Sequence, residues 1–345
     1  MSRDQGGRGD PGGALLPPRS NGPPLLVTGM PRTATSWVGK MLEASGRLVY
    51  VNEPLNPRHP PGRSPGVLRA DVRHAFQYIS EENERDWLPA FRDTVRLRYH
   101  PLAELRRNHR PYDVLRAVKY TGGFGLGRLR GRRALLDDPY AVFAAPWLHR
   151  RVGCQVVVTV RDPVATVSSW LRLGWRPRLD ELLAQPALVR DRLGPWREEL
   201  EAAVRDGGPA GDVERASLLW RVVYGTVAGY RREIAGLEVV RHEDLSADPV
   251  PAFAALYDRL GLPLGPDAER AIRRATSGGA DQGVMRWSLS SRGVSRTAAR
   301  RLDSRANLDV WRRRLSPEQV ARVRELTADV AAGYRYGQAS ENRSR

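Results

Sequence analysis

The chain has 345 residues, 41% of them hydrophobic, which suffices for one large α/β domain with a buried core and excludes a disordered protein. No run approaches the ~18 consecutive apolar residues of a transmembrane helix, so we expect no membrane span. The formal net charge is +17, and Lys40 and Lys119 are the only lysines. Such an arginine-rich composition fits either a GC-rich gene or an anionic partner, because arginine binds phosphate through a planar fork of donors.

Residues 1–24 are rich in Gly, Pro, Arg and Asp and lack the apolar core of a secretory signal, so we predict a flexible tail. An apolar strand at 25–28, a loop at 29–35, a helix at 36–44 and a strand at 47–51 follow. Together they predict a βαβ unit with parallel strands.

Helical patterns cover 67–78 and 86–97, and two short strands are predicted at 114–119 and 133–136, around a Gly/Arg-rich loop at 121–132. Further along, the sequence predicts helices at 139–151, 163–173, 187–205, 213–234 and 250–260, strands at 155–160 and 237–241, and a last helix capped by Ser316 and Gln319. This alternation indicates one α/β domain over residues 25–337, with a central, mainly parallel sheet flanked by helices and a tail at 338–345.

Cys154 is the single cysteine and lies in an apolar run, which predicts a buried core residue. A lone cysteine forms no internal disulfide, and we therefore expect a reducing compartment, the cytoplasm.

The segment Gly29-Met30-Pro31-Arg32-Thr33-Ala34-Thr35-Ser36-Trp37 joins the first strand to the first helix. A helix N-terminus and exposed backbone N–H groups form an anion site there, and Arg32 adds a full charge. The hydroxyls of Thr33, Thr35 and Ser36 are further donors. It is not a Walker A loop, because Lys40 comes a full turn too late for the phosphates of ATP.

This loop resembles the 5′-phosphosulfate-binding loop of sulfotransferases that use 3′-phosphoadenosine-5′-phosphosulfate (PAPS), usually P-[KR]-[ST]-G-T-[TS]-W. The resemblance implies a P-loop-like fold, PAPS as co-substrate, adenosine 3′,5′-bisphosphate as product and no metal. It also implies donor contacts from Arg32, Thr33, Ala34, Thr35, Ser36 and Trp37. The family's glycine is Ala34 here, and a positive φ at that position would strain an alanine.

A second phosphate site is predicted where the strand at 155–160 ends. Arg161-Asp162-Pro163, with Ser169 eight residues after Arg161, resembles the family's 3′-phosphate site. An arginine fork and a hydroxyl can grip a phosphate dianion at the carboxyl edge of an α/β sheet. The two phosphate sites are expected to be separate pockets. The alternative is that Arg161 pairs with Asp162.

Three further segments extend the resemblance. Asp137 stands where bacterial members usually have Lys, so Lys119 or Lys40 would have to neutralise the donor instead. The segment from Arg241 to Leu245 resembles a structural R-x-E-D-L motif. Near Trp311 the resemblance places Arg305 on the 3′-phosphate, within an Arg-rich segment at 292–314 that forms either a lid or a solvated basic loop.

Transfer of a sulfuryl group needs a base near the acceptor and positive charge near the leaving phosphate, the latter from Arg32. Glu53 ends the second strand and resembles the catalytic Glu of carbohydrate-type members, where partial burial would raise its pKa. Asp138 or a histidine such as His59 is the alternative base. The acceptor pocket is expected in segments 54–109 and 173–211, whose rings (Trp87, Tyr99, Trp175 and Trp196) either stack on the acceptor or pack in the core.

The sequence therefore predicts a sulfotransferase acting on a hydroxyl or amine of a carbohydrate-like or small-molecule acceptor, without nucleic acid or a stable membrane anchor as partner. A P-loop-like phosphotransferase and a non-enzymatic basic protein that binds nucleic acid are the alternatives. The oligomeric state is left open.

Overall fold

The structure is a computed structural model that describes residues 22–57, 70–107, 111–205, 211–276, 289–290, 293–294 and 308–337. Arg305, His59, the C-terminal tail and all but the last three residues of the N-terminal tail lie outside these ranges. Within them, no helix is both long and apolar enough to span a bilayer.

Five parallel strands form the central sheet in the order β2-β3-β1-β4-β5. They are β1 (Leu25–Gly29), β2 (Leu48–Asn52), β3 (Arg133–Asp137), β4 (Gln155–Val160) and β5 (Glu238–Arg241). Because β1 and β3 are buried along their whole length and β4 nearly so, helices cover both faces, as parallel sheets require. A separate antiparallel pair consists of β6 (Leu289–Ser290) and β7 (Gly293–Val294).

The helices are α1 (Thr35–Glu43), α2 (Trp87–Val95), α3 (Pro101–Arg107), α4 (Pro111–Leu129), α5 (Ala145–Trp147), α6 (Pro163–Arg172), α7 (Leu179–Leu183), α8 (Pro186–Leu188), α9 (Arg197–Arg205), α10 (Asp212–Gly229), α11 (His242–Ala247), α12 (Pro249–Arg259), α13 (Pro266–Thr276) and α14 (Pro317–Gly333). Turns of 3-10 or π type extend α5 on both sides, from Pro139 to Val152. Because successive side chains of a strand point to opposite faces of the sheet, the core has two layers. Val27 and Leu135 face α1, while Leu26 and Leu136 face the opposite layer.

Most predicted elements are confirmed, including the βαβ unit, the strand at 155–160 and the helices at 86–97, 163–173, 213–234 and 250–260. The capping box of α14 is present, since Gln319 N–H donates to Ser316 Oγ at 3.3 Å and Ser316 N–H donates to Gln319 Oε1 at 3.0 Å. Cys154 is buried as predicted, and burial raises the pKa of its thiol to about 12.

Four local predictions were wrong. The strand at 114–119 and most of the loop at 121–132 belong to α4, where four glycines suggested a loop. One of them lies at a close approach: a Cβ on Gly127 would come within 2.4 Å of Val49 Cγ2. The helix at 187–205 breaks into short pieces before α9, at Gly194 and Pro195.

The described part of the predicted helix at 67–78 is not helical. Phe76 has a φ of 59°, which ends any regular helix there. The Gln185 side chain takes over the hydrogen bonds of this backbone: its Oε1 accepts from Tyr78 N–H at 2.8 Å and its Nε2 donates to Phe76 O at 3.4 Å. A contact between residues more than 100 positions apart in the sequence thus overrides the local helical pattern.

Candidate active site

The loop after β1 has a backbone that few residues can adopt. Gly29 has a φ of 152°, and a Cβ there would come within 2.5 Å of the Thr159 carbonyl on β4. Arg32 and Ala34 follow with φ values of 81° and 75°, both left-handed. The position that the family fills with glycine therefore does need a positive φ, and Ala34 carries strain of about 1 kcal/mol.

Buried side chains from other helices hold this loop. Tyr224 Oη accepts from Met30 N–H at 3.2 Å and donates to Thr159 O at 2.8 Å, so α10 connects the loop to β4. Trp170 Nε1 donates to Pro31 O at 2.8 Å. These contacts preorganise the turn that precedes the N-terminus of α1, where the helix dipole favours an anion.

The predicted loop residues divide into two groups. Arg32 and Ala34 are half-buried and Ser36 is exposed, whereas Thr33, Thr35 and Trp37 are buried. Thr33 Oγ1 donates to Met30 O at 2.7 Å. The Trp37 ring packs edge-on against Phe253 and His242. Donor contacts from the three buried side chains stay a prediction, because their described contacts lie inside the protein.

The two predicted phosphate sites adjoin each other. Arg32 Nε donates to Ser169 Oγ at 3.1 Å, and Arg161 Nη1 donates to Arg32 O at 3.4 Å. They meet because β1 and β4 are hydrogen-bonded neighbours whose carboxyl ends share one edge of the sheet. We expected two separate pockets, and the structure instead brings Arg32, Arg161 and Ser169 into one cluster.

Three arginines give this cluster its electrostatic character. Burial lowers the pKa of Arg32, and the nearby charges of Arg172 and Arg161 lower it further. The pKa of Arg161 is also lowered, again chiefly by burial, although the carboxylates of Glu243 and Asp162 oppose this. Because arginine stays protonated at any physiological pH, the lowered pKa values indicate a site that an anion would stabilise.

The acidic residues beside Arg161 have structural partners. Asp162 caps α6, where its Oδ1 accepts from Ala165 N–H at 3.0 Å, so its carboxylate is committed to the helix. Glu243, in the R-x-E-D-L segment, accepts from Asp162 N–H at 3.0 Å and from Tyr336 Oη at 2.5 Å. The end of β4 that carries Arg161 is thereby joined to α11 and, through Tyr336, to the C-terminal segment.

The two candidate bases differ in their surroundings. Asp138 is fully buried and accepts from Leu55 N–H at 2.5 Å and Tyr140 N–H at 2.9 Å, which makes it a structural cap. Glu53 is half-buried at the end of β2, and Asn56 Nδ2 donates to its Oε2 at 2.5 Å. Its φ of 44° is left-handed, a strained conformation that active sites often hold. The catalytic role of Glu53 stays a prediction.

Of the two lysines, Lys40 is the one beside Asp137. Its Nζ pairs with Glu43 at 2.8 Å and lies 3.5 Å from the centre of the Tyr50 ring. Lys119 is exposed on α4. Among the described residues, no group of three or more His, Cys, Asp or Glu could hold a metal ion.

The aromatic residues proposed for the acceptor pocket pack mainly inside the protein. Trp87 is buried against Phe91, and Tyr99 packs with Tyr120 and Phe124. Trp175 packs edge-on against Trp170 at 5.6 Å between ring centres, which places it next to a side chain that holds the loop. Trp175 therefore lies one side-chain contact away from the loop after β1.

Sequence reasoning missed the residues that support the loop. Trp170 directly follows Ser169, the last residue of a predicted phosphate motif. This position was the only local indication that Trp170 could support the loop. Nothing in the sequence around Tyr224 indicated its role, because it lies 65 residues from its partner Thr159. Tyr50 lies in a predicted strand, and nothing in that strand indicated its contact with Asp137.

Comparison with known proteins gives one family match. The model of the sulfotransferase family matches residues 23–266, more than half of the chain. A comparison with curated proteins finds no match.

Solved structures with a similar chain course include two sulfotransferase domains and one sulfotransferase. The domain from the Synechococcus PCC 7002 olefin synthase is 15% identical, with 95% of this chain and 100% of that chain covered and a TM-score of 0.46. The domain from the curacin biosynthetic pathway is 14% identical, with 92% and 99% covered and a TM-score of 0.49. Sulfotransferase STF9 from Mycobacterium avium is 16% identical, with 92% and 77% covered and a TM-score of 0.40. Similarity this distant carries no argument about activity.

Proposed function

The chain belongs to the sulfotransferase family, and we propose that it transfers a sulfuryl group from PAPS to a hydroxyl or amine of a carbohydrate-like or small-molecule acceptor. The observation that supports this most is the cluster of Arg32, Arg161 and Ser169 at the shared end of β1 and β4. We also propose the cytoplasm as the compartment, since the single cysteine is buried.

The donor set of this cluster fits a ligand with two anionic groups. Arg32 and the N-terminus of α1 suit a 5′-phosphosulfate, and Arg161 with Ser169 suits a 3′-phosphate. The 3.1 Å hydrogen bond between Arg32 Nε and Ser169 Oγ supports this assignment, because it brings the groups proposed for the two anions next to each other. When bound, PAPS supplies an already activated sulfuryl group, so the protein has to position it and stabilise charge.

Charge stabilisation falls to Arg32, because negative charge grows on the leaving phosphate as the sulfur–oxygen bond breaks. Proton removal from the acceptor falls to the Glu53 carboxylate. Its orientation is held by Asn56 Nδ2 at 2.5 Å, and its position after β2 is held by its own N–H, which donates to Asp137 O at 2.8 Å.

A melting experiment tests the nucleotide class. We expect adenosine 3′,5′-bisphosphate to raise the melting temperature, and ATP with Mg²⁺ or DNA to leave it unchanged. Arg32→Ala and Arg161→Ala should each abolish the shift. Arg197→Ala is the matched control, because Arg197 is an exposed helical arginine paired with Glu201.

The outcomes separate the alternatives. A shift with ATP and Mg²⁺ alone would favour a phosphotransferase, and a shift with DNA that disappears at high salt would favour a nucleic-acid-binding protein. Labelled PAPS with a panel of hydroxyl and amine acceptors would then identify the class of acceptor.

A further inference from the structure

The outer face of the helix pair α3–α4 is apolar although it lies on the surface. In the described part of the chain, every large hydrophobic side chain that is exposed belongs to these two helices. Leu102 on α3 and Leu129 on α4 are 73% and 87% exposed, and the others are Val114, Val118 and Leu126 on α4. Single exposed apolar side chains are common, but a group confined to one face of a protein marks an interaction site.

The exposed apolar residues of α4 form one continuous band, which we call the α4 stripe (Val114, Val118, Leu126 and Leu129). A helix turns by about 100° per residue, so all four fall within an arc of about 120°. At a rise of about 1.5 Å per residue, the α4 stripe is about 22 Å long. By helical register, the other residues in this arc between Val114 and Leu129 are leucine or glycine, so no polar residue interrupts it.

The opposite face of α4 is apolar as well. Ala117 and Phe124 are buried there, and the Phe124 ring packs edge-on against Tyr99 and Tyr120. Gly127 on the same face lies against β2. A helix that is hydrophobic on all sides is normally buried on all sides. The α4 stripe is therefore expected to meet another apolar surface.

Positive charge borders the α4 stripe on both sides. By helical register, Lys119 lies about 20° beyond Leu126 and Arg128 about 40° before Val114. Both are exposed, as is Arg130 directly after the helix. Residues 114–136 include no Asp or Glu. A complementary partner is therefore apolar in the middle and anionic at its borders.

A bilayer of anionic lipids has this arrangement, because its acyl chains lie beneath a negatively charged layer of headgroups. A second copy of this chain does not, since a symmetric contact would bring the same cations against each other. Leucines that are exposed as fully as Leu102 and Leu129 protrude from the surface and line no groove. Such side chains suit insertion into fluid lipid better than a fit into a preformed pocket.

We propose that the α3–α4 face docks reversibly on an anionic lipid bilayer, with α4 lying in the plane of the interface. The α4 stripe and Leu102 enter the boundary between headgroups and acyl chains, and Lys119, Arg128 and Arg130 contact the lipid phosphates. Reversible docking differs from a stable anchor, which the sequence does not predict. The inference is independent of the proposed function, because neither PAPS nor turnover enters it.

Sedimentation of the full-length protein with lipid vesicles tests the proposal. Vesicles of phosphatidylcholine and phosphatidylglycerol should bind it about tenfold or more tightly than vesicles of phosphatidylcholine alone, and added salt should weaken the binding. Val118→Ser combined with Leu129→Ser should weaken binding about tenfold or more, because two apolar side chains no longer enter the lipid. The matched control, Val118→Ile with Leu129→Met, should bind like the wild type. Both double variants should keep the wild-type melting temperature, since the residues are exposed.

The position of the charge is tested by a second pair of variants. Lys119→Gln with Arg128→Gln should weaken binding to the anionic vesicles about tenfold or more, because each cation near an anionic surface contributes about 1 kcal/mol. Arg197→Gln with Arg273→Gln removes the same charge from exposed positions on α9 and α13. This control should bind within a factor of about two of the wild type, because charges away from the lipid are screened by salt.

A fluorescent label locates the contact. The native Cys154 is buried and its thiol pKa is raised to about 12, so a thiol-reactive dye labels the variant Leu126→Cys at the new position alone. A polarity-sensitive dye there should shift its emission to shorter wavelength when anionic vesicles are added. The same dye on Arg197→Cys is the control and should show no shift.

Failure of the wild type to sediment with the anionic vesicles at low salt overturns the proposal. Equal losses in the two charge variants overturn it too, because overall charge alone would then drive binding. A dimer that Val118→Ser with Leu129→Ser dissociates, without vesicle binding by the wild type, assigns the α4 stripe to a second copy instead. None of these results bears on nucleotide binding, so failure here is distinct from failure of the proposed function.

Discussion

The donor edge and the region from α2 to α4 are built differently. At the donor edge, formed by residues 25–37 and 155–170, most side chains are buried, and Tyr224 and Trp170 fix the loop through its backbone. On α3 and α4, by contrast, Leu102, Val118 and Leu129 are 73%, 67% and 87% exposed. In the function that we propose, the first region holds a constant donor, which needs preorganised geometry, whereas the acceptor would meet α2 and α3 in segment 54–109, where a suitable surface is enough. Sequence motifs are therefore informative about the first region and say little about the second.

The largest expected effect is on proton transfer. Glu53→Gln removes the proposed base and should lower kcat by about 10²–10⁴-fold, because general base catalysis contributes that much. The affinity for adenosine 3′,5′-bisphosphate should stay unchanged, as measured by calorimetry. A variant with full turnover would remove Glu53 from the mechanism and point to another base.

Next in size is the charge at the donor edge. Arg32→Ala should lower kcat by about 10²–10³-fold, since it removes a donor from the leaving phosphate. Arg273→Ala on α13 is the control, because Arg273 is an exposed helical arginine that pairs with Glu269 outside both proposed sites, and it should leave kcat within a factor of about two. Equal losses in both variants would contradict a donor role specific to Arg32.

A smaller effect concerns the support of the loop. Tyr224→Phe removes the hydroxyl that joins Met30 N–H to Thr159 O, and it should lower the free energy of unfolding by about 1–3 kcal/mol. Val118→Ala should change it by less than about 0.5 kcal/mol, because Val118 is exposed. Urea unfolding of both variants measures the difference. Equal changes in both variants would contradict the claim that the buried contacts of the loop stabilise the protein more than the exposed residues of α4 do.

The smallest effect is expected at Ala34. Because its φ is 75°, Ala34→Gly should relieve strain and raise the free energy of unfolding by about 1 kcal/mol. Ala252→Gly in the helix α12 is the matched control and should instead lower it by about 0.5–1 kcal/mol. Destabilisation by Ala34→Gly would show that the loop tolerates its alanine without strain.

The same comparison explains which parts of the molecule the sequence could predict. The loop around Arg32 and the strand before Arg161 lie in continuous segments whose patterns are local, so the βαβ unit and both motifs were found. That residues 111–129 form a helix depends on the close packing of Gly127 against Val49. The irregular backbone at Phe76 depends on its hydrogen bond with the Gln185 side chain. Contacts between residues so far apart leave no periodic pattern in either segment.

For the site as well, single residues could be predicted from the sequence, whereas their contacts could not. Arg32, Arg161 and Ser169 were predicted to bind the donor, and their contact with one another depends on β1 and β4 being neighbours, which only the strand order reveals. Asp137 was noted as a departure from a family pattern. Its connection to Tyr50 became visible only when the parallel register set β2 beside β3.

The measurement that tests the central claim most directly is a crystal structure of the protein with adenosine 3′,5′-bisphosphate. We predict that Arg161 and Ser169 will contact the 3′-phosphate and that Arg32 and the N-terminus of α1 will contact the 5′-phosphate. A nucleotide bound elsewhere, or either arginine turned away from it, would contradict the account.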